Sequence, residues 1–407
     1  MEVLNTTSAP EMDTTQRNVI MQRWRMVQHE LMPALRNEMG ALTPKLEQVI
    51  HTLEWVRIEE FVCSTWRGCG RPEHDRGMLA NAFIAKAVLG LSTTAGLIER
   101  LTVDRALRRI CGFSMWKKLP GESTFSRAFA EFAEAGLAER THAALVRETL
   151  GDRLVGHISR DGTAIEAREK PAKKPVPSGV EGPVPNGVEG PVPNGIEVEA
   201  PAAVAETTPT KTKKRGRPRK DEGSSVKAGK LEQQQDKSLA ELLKELPRDC
   251  DRGSKCNAQG YKNSWNGYKL HIDTADSGIP VSALLSSASM HDSLAAIPLP
   301  LMTAERVTNC YDLMDEAYCS GVLREHSRSL GHVPLIDHNP RRGEKIEFTP
   351  SEAQRYKERS QAERTNARLK DDYGGRHIRV KGNAKVMSHL MFGILALTAD
   401  QILRLLT

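Results

Sequence analysis

The stretch SWNGYKLHIDTADSGIPVSALLSSAS, residues 264–289, decides the fold. It consists of two apolar runs that flank a turn at residues 276–278. Short runs of this kind, bounded by Asp, Ser and Gly, are typical of neighbouring β-strands. The stretch therefore predicts two paired strands that belong to a larger sheet.

The flanking sequence supplies the remaining parts of that sheet. Three further stretches predict strands: LVGHISRDGTAIEA at 154–167, TNCYDLMDEAY at 308–318 and GHVPLIDHN at 331–339. A helical crossover is predicted at 289–307, and a long helix is predicted from a cap at Thr349 to a stop at Gly374. This order predicts an α/β fold, in which helices flank a mixed sheet.

Residues 1 to about 150 predict helices alone. The run RGMLANAFIAKAVLGL is strongly apolar and has no helix breaker before Gly90. Short helices with polar starts can form a DNA-reading helix-turn-helix, or they can form a plain helical bundle. The pattern favours the bundle and leaves the DNA reader open.

Composition changes abruptly in residues 171–255. Residues 176–199 contain the eight-residue repeat VPSGVEGP, VPNGVEGP and VPNGIEVE, which is rich in Pro and Gly. Because such a repeat cannot bury apolar surface, we expect a disordered insertion.

The insertion carries the basic segment KTKKRGRPRK at residues 211–220. Its centre, Arg215-Gly216-Arg217-Pro218, resembles an AT-hook, which lies in the minor groove of A·T-rich DNA. Gly lets the backbone approach the groove floor, Pro keeps the chain extended, and Arg side chains enter the narrow, negative groove. The alternative is a basic tail that binds phosphates without sequence preference.

Bulk properties permit a nucleic-acid partner without requiring one. The net charge is +6 and the pI is about 8.9. The seven cysteines lack the spacing of a zinc or CxxC site, and the N-terminus lacks the pattern of a signal peptide. The apolar run at 391–406 contains Asp400 and Arg404, so it predicts a packing helix and not a membrane span.

The predicted helix at 349–375 has an unusual density of cations around one carboxylate. At about 100° per residue, Tyr356, Arg359, Glu363 and Lys370 fall within a stripe roughly 60° wide. Such a stripe can be a solvated face with i,i+4 ion pairs, each worth a few tenths of a kcal/mol. It can also be a surface that faces a phosphate.

Three acids occupy positions that suit metal chemistry. Asp161 lies in the first predicted strand, Asp315 ends the fourth, and Glu363 lies on the late helix. Carboxylates from separate elements can hold divalent metals such as Mg²⁺, which act on a phosphodiester. Arg359 and Lys370 could then hold the DNA phosphate, with Tyr356 hydrogen-bonded to a neighbouring one.

The spacing of Tyr356, Arg359, Glu363 and Lys370 matches the Y-R-E-K motif of bacterial insertion-sequence transposases of the DDE type. The surroundings of Asp161 (RDGTAI), the stretch 267–293 and LMDEAY around Asp315 resemble the same family. The likeness covers about 76–170 and 256–407. It implies an RNase H-like catalytic domain at 151–170 and 256–407, preceded by an all-helical domain at 1–150 that binds DNA ends. The chain departs from the family in its long insertion between the first two strands.

The resemblance also implies an activity. Asp161, Asp315 and Glu363 would be the catalytic, metal-binding triad, with two Mg²⁺ ions expected and Mn²⁺ as a substitute. The family cuts double-stranded DNA at the ends of its own element by attack of water, and the freed 3′ hydroxyl then attacks target DNA. A homodimer on DNA, no membrane partner and a cytoplasmic, nucleoid-associated location are further expectations.

Several other residues are weaker candidates. Asp312 is an alternative to Asp315, and Asp292 is either an acid near a helix start or a supporting site residue. The expected structural or surface residues are Asp273 and Asp276 in turns, Glu166 and His389. The basic run of Arg376, Arg379, Lys381 and Lys385 is either a solvated edge or a phosphate-contacting surface.

Two other functions remain open on the same sequence. One is a DNA-binding or regulatory protein without catalysis, derived from a transposase. The other is a nuclease or resolvase on the same fold, which would cleave DNA without joining it.

Overall fold

The predicted strand pair forms β3 (Lys262–Ala275) and β4 (Pro280–Ser287), which are antiparallel. The computed structural model describes residues 14–63, 73–172, 229–256, 259–340 and 344–406. Every residue of β4 is buried, which accounts for its nearly continuous apolar sequence. Gly278 lies in the connecting turn with a φ of +77°, a conformation that side chains other than Gly rarely adopt.

The sheet has six strands and is mixed. Its other members are β1 (Leu154–Glu166), β2 (Asp251–Cys256), β5 (Thr308–Met314) and β6 (Val333–Ile336). The hydrogen-bonded order is β2-β3-β1-β5-β6, and β4 pairs with β3. β1 is antiparallel to β3 and parallel to β5, and β5 is parallel to β6. This sheet confirms the predicted RNase H-like class.

In the described part of the chain, eight α-helices precede the sheet, where the sequence predicts helices. They are α1 (Thr14–Met26), α2 (Met32–Met39), α3 (Pro44–Val56), α4 (Arg76–Val88), α5 (Thr94–Val103), α6 (Arg105–Ile110), α7 (Glu122–Glu134) and α8 (Leu137–Leu150). Four of them, α3 to α6, begin at a polar side chain that accepts from a backbone amide; for example, Asp75 accepts from the Met78 amide and Thr93 from the Gly96 amide.

Among the residues described after β1, seven more α-helices follow. They are α9 (Glu232–Gln235), α10 (Leu239–Glu245), α11 (Pro298–Ala304), α12 (Gly321–Ser329), α13 (Pro350–Tyr356), α14 (Ser360–Asp372) and α15 (Asn383–Leu406). The helix α12, which lies between β5 and β6, is absent from the sequence prediction.

The long helix predicted at 349–375 is interrupted. The predicted cap is present, because Thr349 and Glu352 form a reciprocal capping box. However, a 3₁₀ turn at Lys357–Arg359 separates α13 from α14. Tyr356 and Glu363 therefore belong to different helices, and the uniform 100° spacing is interrupted. Arg359 still lies beside both residues, since its guanidinium is 6.0 Å from the centre of the Tyr356 ring and pairs with Glu363.

The insertion has more structure than its sequence suggests. Residues 229–256 contain α9, α10 and β2, so the expectation of disorder as far as residue 255 is wrong for this part. The Pro/Gly repeat and the AT-hook-like Arg215-Gly216-Arg217-Pro218 lie outside the described residues.

The C-terminal helix α15 joins the helical region to the sheet. It packs against α3, α4, α7 and α8, and also against β4. By length and composition it could cross a membrane, but 72% of its most apolar window is buried inside the protein. The described residues up to 172 and from 229 onward form one compact unit, so the N-terminal helices and the sheet share a core.

Candidate active site

Strand register sets Asp161 and Asp315 beside each other. In the parallel pair β1–β5, Ser159 is the partner of Leu313. Asp161 and Asp315 each follow two residues later, so both carboxylates project from the same face of the sheet. Neighbouring strands lie about 4.8 Å apart, which makes the two acids near neighbours.

The Asp161 carboxyl group is held in a poorly solvated position. Burial and the charge of Asp315 raise the pKa of Asp161 to about 6. The side-chain amide of Asn366 on α14 donates to its Oδ2 at 2.9 Å, and the charge of Arg359 opposes the shift. Asp161 therefore binds a proton more tightly than a free aspartate does.

Asp315 begins the 3₁₀ turn Glu316–Tyr318 directly after β5. Its Oδ1 accepts a hydrogen bond from the Ala317 amide at 3.0 Å, as an N-cap residue does. Burial raises the pKa of Asp315, while this hydrogen bond and the Arg359 charge act in the opposite direction. The sharp turn after the strand therefore orients the carboxylate.

Glu363 lies on α14, and its side chain is 55% exposed. It forms an i,i+4 ion pair with Arg359. The Arg359 charge also acts on Asp161 and Asp315. Arg359 thus interacts with all three predicted acids, by an ion pair with Glu363 and through its charge with Asp161 and Asp315.

Two predicted DNA contacts have partners within the protein. The Tyr356 hydroxyl donates to the carbonyl oxygen of Met314 at 3.1 Å. The Lys370 ammonium donates to Thr163 Oγ1 at 2.6 Å, and burial lowers its pKa. Both residues line the neighbourhood of the acids, and their role as phosphate contacts stays a prediction.

Asp312 lies on the opposite face of the sheet from Asp315 and is buried. It accepts from Ser327 at 2.6 Å and from His332 at 3.1 Å, and the Arg160 guanidinium lies 4.0 Å away. Burial acts to raise the pKa of Asp312, but these hydrogen bonds and charges hold it below the usual value. Asp312 therefore belongs to a structural network.

Asp273 belongs to the same network, and its assignment to a turn is wrong. It lies in β3 opposite Arg160, is fully buried, and accepts hydrogen bonds from Arg160 Nε at 2.7 Å and Nη2 at 2.8 Å. The Thr303 hydroxyl donates to it as well. Asp276, by contrast, follows β3 at the turn, where it accepts from the Gly156 amide at 2.8 Å.

A further acid lies beside the site. Asp292 pairs with Lys269 at 2.9 Å, and its charge raises the pKa of Asp315. A Cβ on Gly162 would lie 3.0 Å from Asp292 Oδ1 and 3.1 Å from the His271 ring, so glycine permits this close packing next to Asp161.

Sequence reasoning did not single out Asn366, Thr163, Lys269 or Lys255. Lys255 on β2 is exposed, and its charge acts on both Asp161 and Asp315. No motif marks these side chains, because their proximity to the acids depends on sheet order and helix placement.

The carboxylates of Asp161 and Asp315 suit a divalent metal ion that prefers oxygen ligands. Asp161 and Asp315 are partly buried and mutually repulsive, and burial and these acids raise the pKa of the neighbouring Tyr318. The Tyr318 hydroxyl is buried without a hydrogen-bond partner among the described residues. Mg²⁺ is typically held by a few carboxylates plus water and substrate phosphate. Within the same residues no three acidic, His or Cys side chains form a ready metal cluster. Glu363, the third predicted ligand, pairs with Arg359.

Comparison with known proteins identifies both halves of the chain. A family model described as the transposase DDE domain matches residues 230–399, which include Asp315 and Glu363. A second model, described as a transposase domain (DUF772), matches residues 35–131 in the helical region. Neither a curated protein nor a solved structure matches the chain significantly. With an RNase H-like sheet and two transposase domains, the chain belongs to the DDE transposases of insertion sequences.

Proposed function

We propose that this chain is a catalytically active transposase that cleaves DNA at the ends of its element and transfers the strands into target DNA. The observation that carries the proposal is the paired position of Asp161 and Asp315 on neighbouring parallel strands. Their burial and mutual repulsion leave two carboxylates poised for a cation.

In this proposal Asp161, Asp315 and Glu363 hold two Mg²⁺ ions, or Mn²⁺ in their place. The ions would stabilise the charges that develop on the attacking and leaving oxygens. Glu363 would be available to the ions once its ion pair with Arg359 opens. In cleavage, water attacks the phosphorus and the 3′ oxygen leaves. In strand transfer, the freed 3′ hydroxyl attacks a target phosphodiester, whose own 3′ oxygen leaves as a new hydroxyl.

Arg359, Lys370 and Tyr356 contact the DNA end in this proposal and constitute the Y-R-E-K motif with Glu363. Arg359 is the strongest of the three, because releasing Glu363 frees a planar guanidinium that can bind a phosphate in a bidentate manner. The exposed Lys255 adds a cation on the same side of the acids.

An excision assay tests the proposal. DNA that flanks the gene is placed around a marker, the protein is supplied in trans, and resealed or linear donor backbone is measured in Mg²⁺. Asp161→Asn, Asp315→Asn and Glu363→Gln should each abolish the product. Glu166→Gln, which changes an exposed acid on β1, should not.

The outcomes separate the competing functions. Joined product that disappears in the three variants supports a transposase. Cleaved ends without joining favour a nuclease or resolvase. DNA binding that is independent of metal, with no cleavage by any protein, favours a non-catalytic derivative.

The AT-hook-like segment is part of the proposal as a docking element for A·T-rich DNA. Replacing both Arg215 and Arg217 by Ala should remove any preference for A·T-rich over G·C-rich duplex while leaving cleavage of a bound end nearly normal. An unchanged preference would remove this assignment. We further expect a homodimer that holds two DNA ends, located in the cytoplasm at the nucleoid.

A further inference from the structure

A cavity of about 340 Å³ lies away from the acids, where the N-terminal helices meet the end of the sheet. Its walls come from α4, the start of α5, α7, the segment after β1, the segment after α14, and α15. The volume is at the lower end of the roughly 300–1000 Å³ of small-ligand pockets. None of the residues used for the proposed chemistry lines it.

Lys86 is the most unusual residue in this cavity. It is only 8% exposed, and among the described residues no carboxylate or hydrogen-bond acceptor pairs with its ammonium group. Buried lysines are ordinarily paired, because an unpaired buried charge is costly. The neighbouring His389 does not compensate, since its Nε2 lies 3.1 Å from the Gly374 carbonyl and its ring is uncharged at neutral pH.

Further groups in the walls favour an anion. Arg168 and Arg379 line the cavity from two other segments, and neither forms an ion pair within the described part of the chain. Thr93 and Thr94 place the N-terminus of the ten-residue helix α5 at the wall, where the helix dipole attracts negative charge. Glu122 is the one acid among the lining residues, so cations outnumber it.

We propose that this cavity, with Lys86 at its base and Arg168 and Arg379 at its rim, binds a backbone phosphate of the DNA end that the active site processes. The inference rests on the proposed function for its choice of phosphate source. A free phosphate or phosphorylated metabolite would share the same chemistry, and the experiment below distinguishes the two.

The position of the cavity suits one continuous duplex. Arg168 follows Asp161 by seven residues, two of them past the end of β1, so the extended chain between them spans at most roughly 23 Å. Gly374 follows Glu363 by eleven residues, of which nine are roughly 14 Å of α14 and two lie past its end. Both distances are shorter than one turn of B-DNA, about 34 Å, so a duplex bound at the acids can reach the cavity.

DNA binding by the full-length protein tests the inference. Fluorescence anisotropy with a duplex from the DNA flanking the gene gives the affinity as a function of salt. Lys86→Met should weaken binding by roughly tenfold and reduce the slope of log K against log salt by about one. Arg379→Gln should act in the same direction, and Lys86→Arg should restore the slope.

Lys244→Met is the matched control, because Lys244 is exposed on α10 and does not line the cavity. It should leave both quantities unchanged. Since methionine buries no charge, Lys86→Met should fold, and a melting curve verifies this. Unchanged affinity and slope in both Lys86→Met and Arg379→Gln would overturn the inference.

Inorganic phosphate at constant ionic strength separates the two sources. Competition with DNA in the wild type, but not in Lys86→Met, supports a DNA phosphate. If phosphate raises the melting temperature of the wild type only, and leaves DNA binding unaffected, the site serves a free phosphate and the inference is wrong. Repeating the titration in Glu363→Gln separates this result from catalysis, since binding at the cavity needs no cleavage.

Discussion

The hydroxyl of Tyr356 donates a hydrogen bond to the carbonyl oxygen of Met314, at 3.1 Å. Met314 is the last residue of β5 and directly precedes Asp315. Tyr356, the first residue of the proposed Y-R-E-K motif, is thereby attached to the strand end that carries a proposed catalytic acid. This contact suggests that Tyr356 positions Asp315, in addition to or in place of touching DNA.

Tyr356→Phe should separate these two roles. Because the change removes only the hydroxyl, we expect a loss of roughly 1 kcal/mol in stability, a several-fold slower cleavage, and unchanged DNA affinity. Thermal melting, excision and anisotropy measure the three quantities. Weaker DNA binding at unchanged stability would instead support the phosphate contact that the sequence predicts.

Replacement by Asn should affect catalysis at Asp315 but stability at Asp312, although both aspartates lie near the end of β5. In Asp315→Asn the side chain can still accept the Ala317 amide as an N-cap, so the protein should fold and bind DNA but not cleave it. In Asp312→Asn a buried charge is lost beside Arg160 and His332, which should cost roughly 3 kcal/mol of stability.

Melting curves and excision yields on the same preparations check this pair. A folded, inactive Asp312→Asn together with an active Asp315→Asn would reverse the assignment of the second acid.

Strand periodicity alone predicts part of the difference between Asp312 and Asp315. Asp312 and Asp315 are three residues apart, so they project to opposite faces of the sheet. The sequence prefers Asp315 because it ends a predicted strand and because LMDEAY resembles the family. That Asp315 shares a face with Asp161 follows only from the parallel pairing of β1 with β5. Sheet order is a property of long-range pairing, which no local pattern reports.

Other features could not be predicted for identifiable physical reasons. β2 has the sequence DRGSKC, in which only Gly253 is buried, so it lacks an apolar pattern and forms through backbone pairing with β3. The break at Lys357–Arg359 contains no Gly or Pro. The ion pair of Arg359 with Glu363 is predictable from i,i+4 spacing, but its closeness to Asp161 is not.

Asp161→Asn should stabilise the protein in the absence of metal. The pKa of Asp161 in the folded state is about 6, above its ordinary value of 3.8, because of burial and Asp315. Folded protein therefore binds more protons between these values, and stability falls as the pH rises through about 4 to 6. Above pH 6 the ionised group costs roughly 3 kcal/mol, which asparagine avoids while still accepting from Asn366.

Melting at pH 7.5 in a chelator, followed by addition of Mg²⁺, measures this effect. The variant should melt higher than the wild type in chelator, and Mg²⁺ should raise the melting temperature of the wild type only. Glu166→Gln, on the same strand but exposed, should leave both melting temperatures unchanged. A variant that is less stable than wild type in chelator would contradict the account of Asp161.

The stability of the protein should also depend on Lys86 in the alkaline range. Burial lowers the pKa of Lys86 from 10.5 to about 8. Between these values the unfolded chain binds more protons than the folded protein, so stability should rise as the pH increases from about 8 to 10.5. At pH 7 the full cost of the buried charge is present, roughly 3 kcal/mol.

The ring of His389 and the hydroxyl of Tyr373, which face Lys86, should not change charge between pH 7 and 10. Burial holds the pKa of His389 at about 4, so its ring is already neutral above pH 6. Burial raises the pKa of Tyr373 above its ordinary value of 10. The other charged groups around the cavity are Arg168, Arg379 and the exposed Glu122.

Urea unfolding at pH 7, 8, 9 and 10 measures the effect. Lys86→Met should be more stable than wild type at pH 7, and the difference should shrink towards pH 10 as the wild-type lysine becomes neutral. Phosphate at pH 7 should narrow the same difference, because an anion in the cavity stabilises the charged lysine. A stability difference that is constant from pH 7 to 10 would show that Lys86 is charged at no unusual cost, and that no anion is needed to explain its burial.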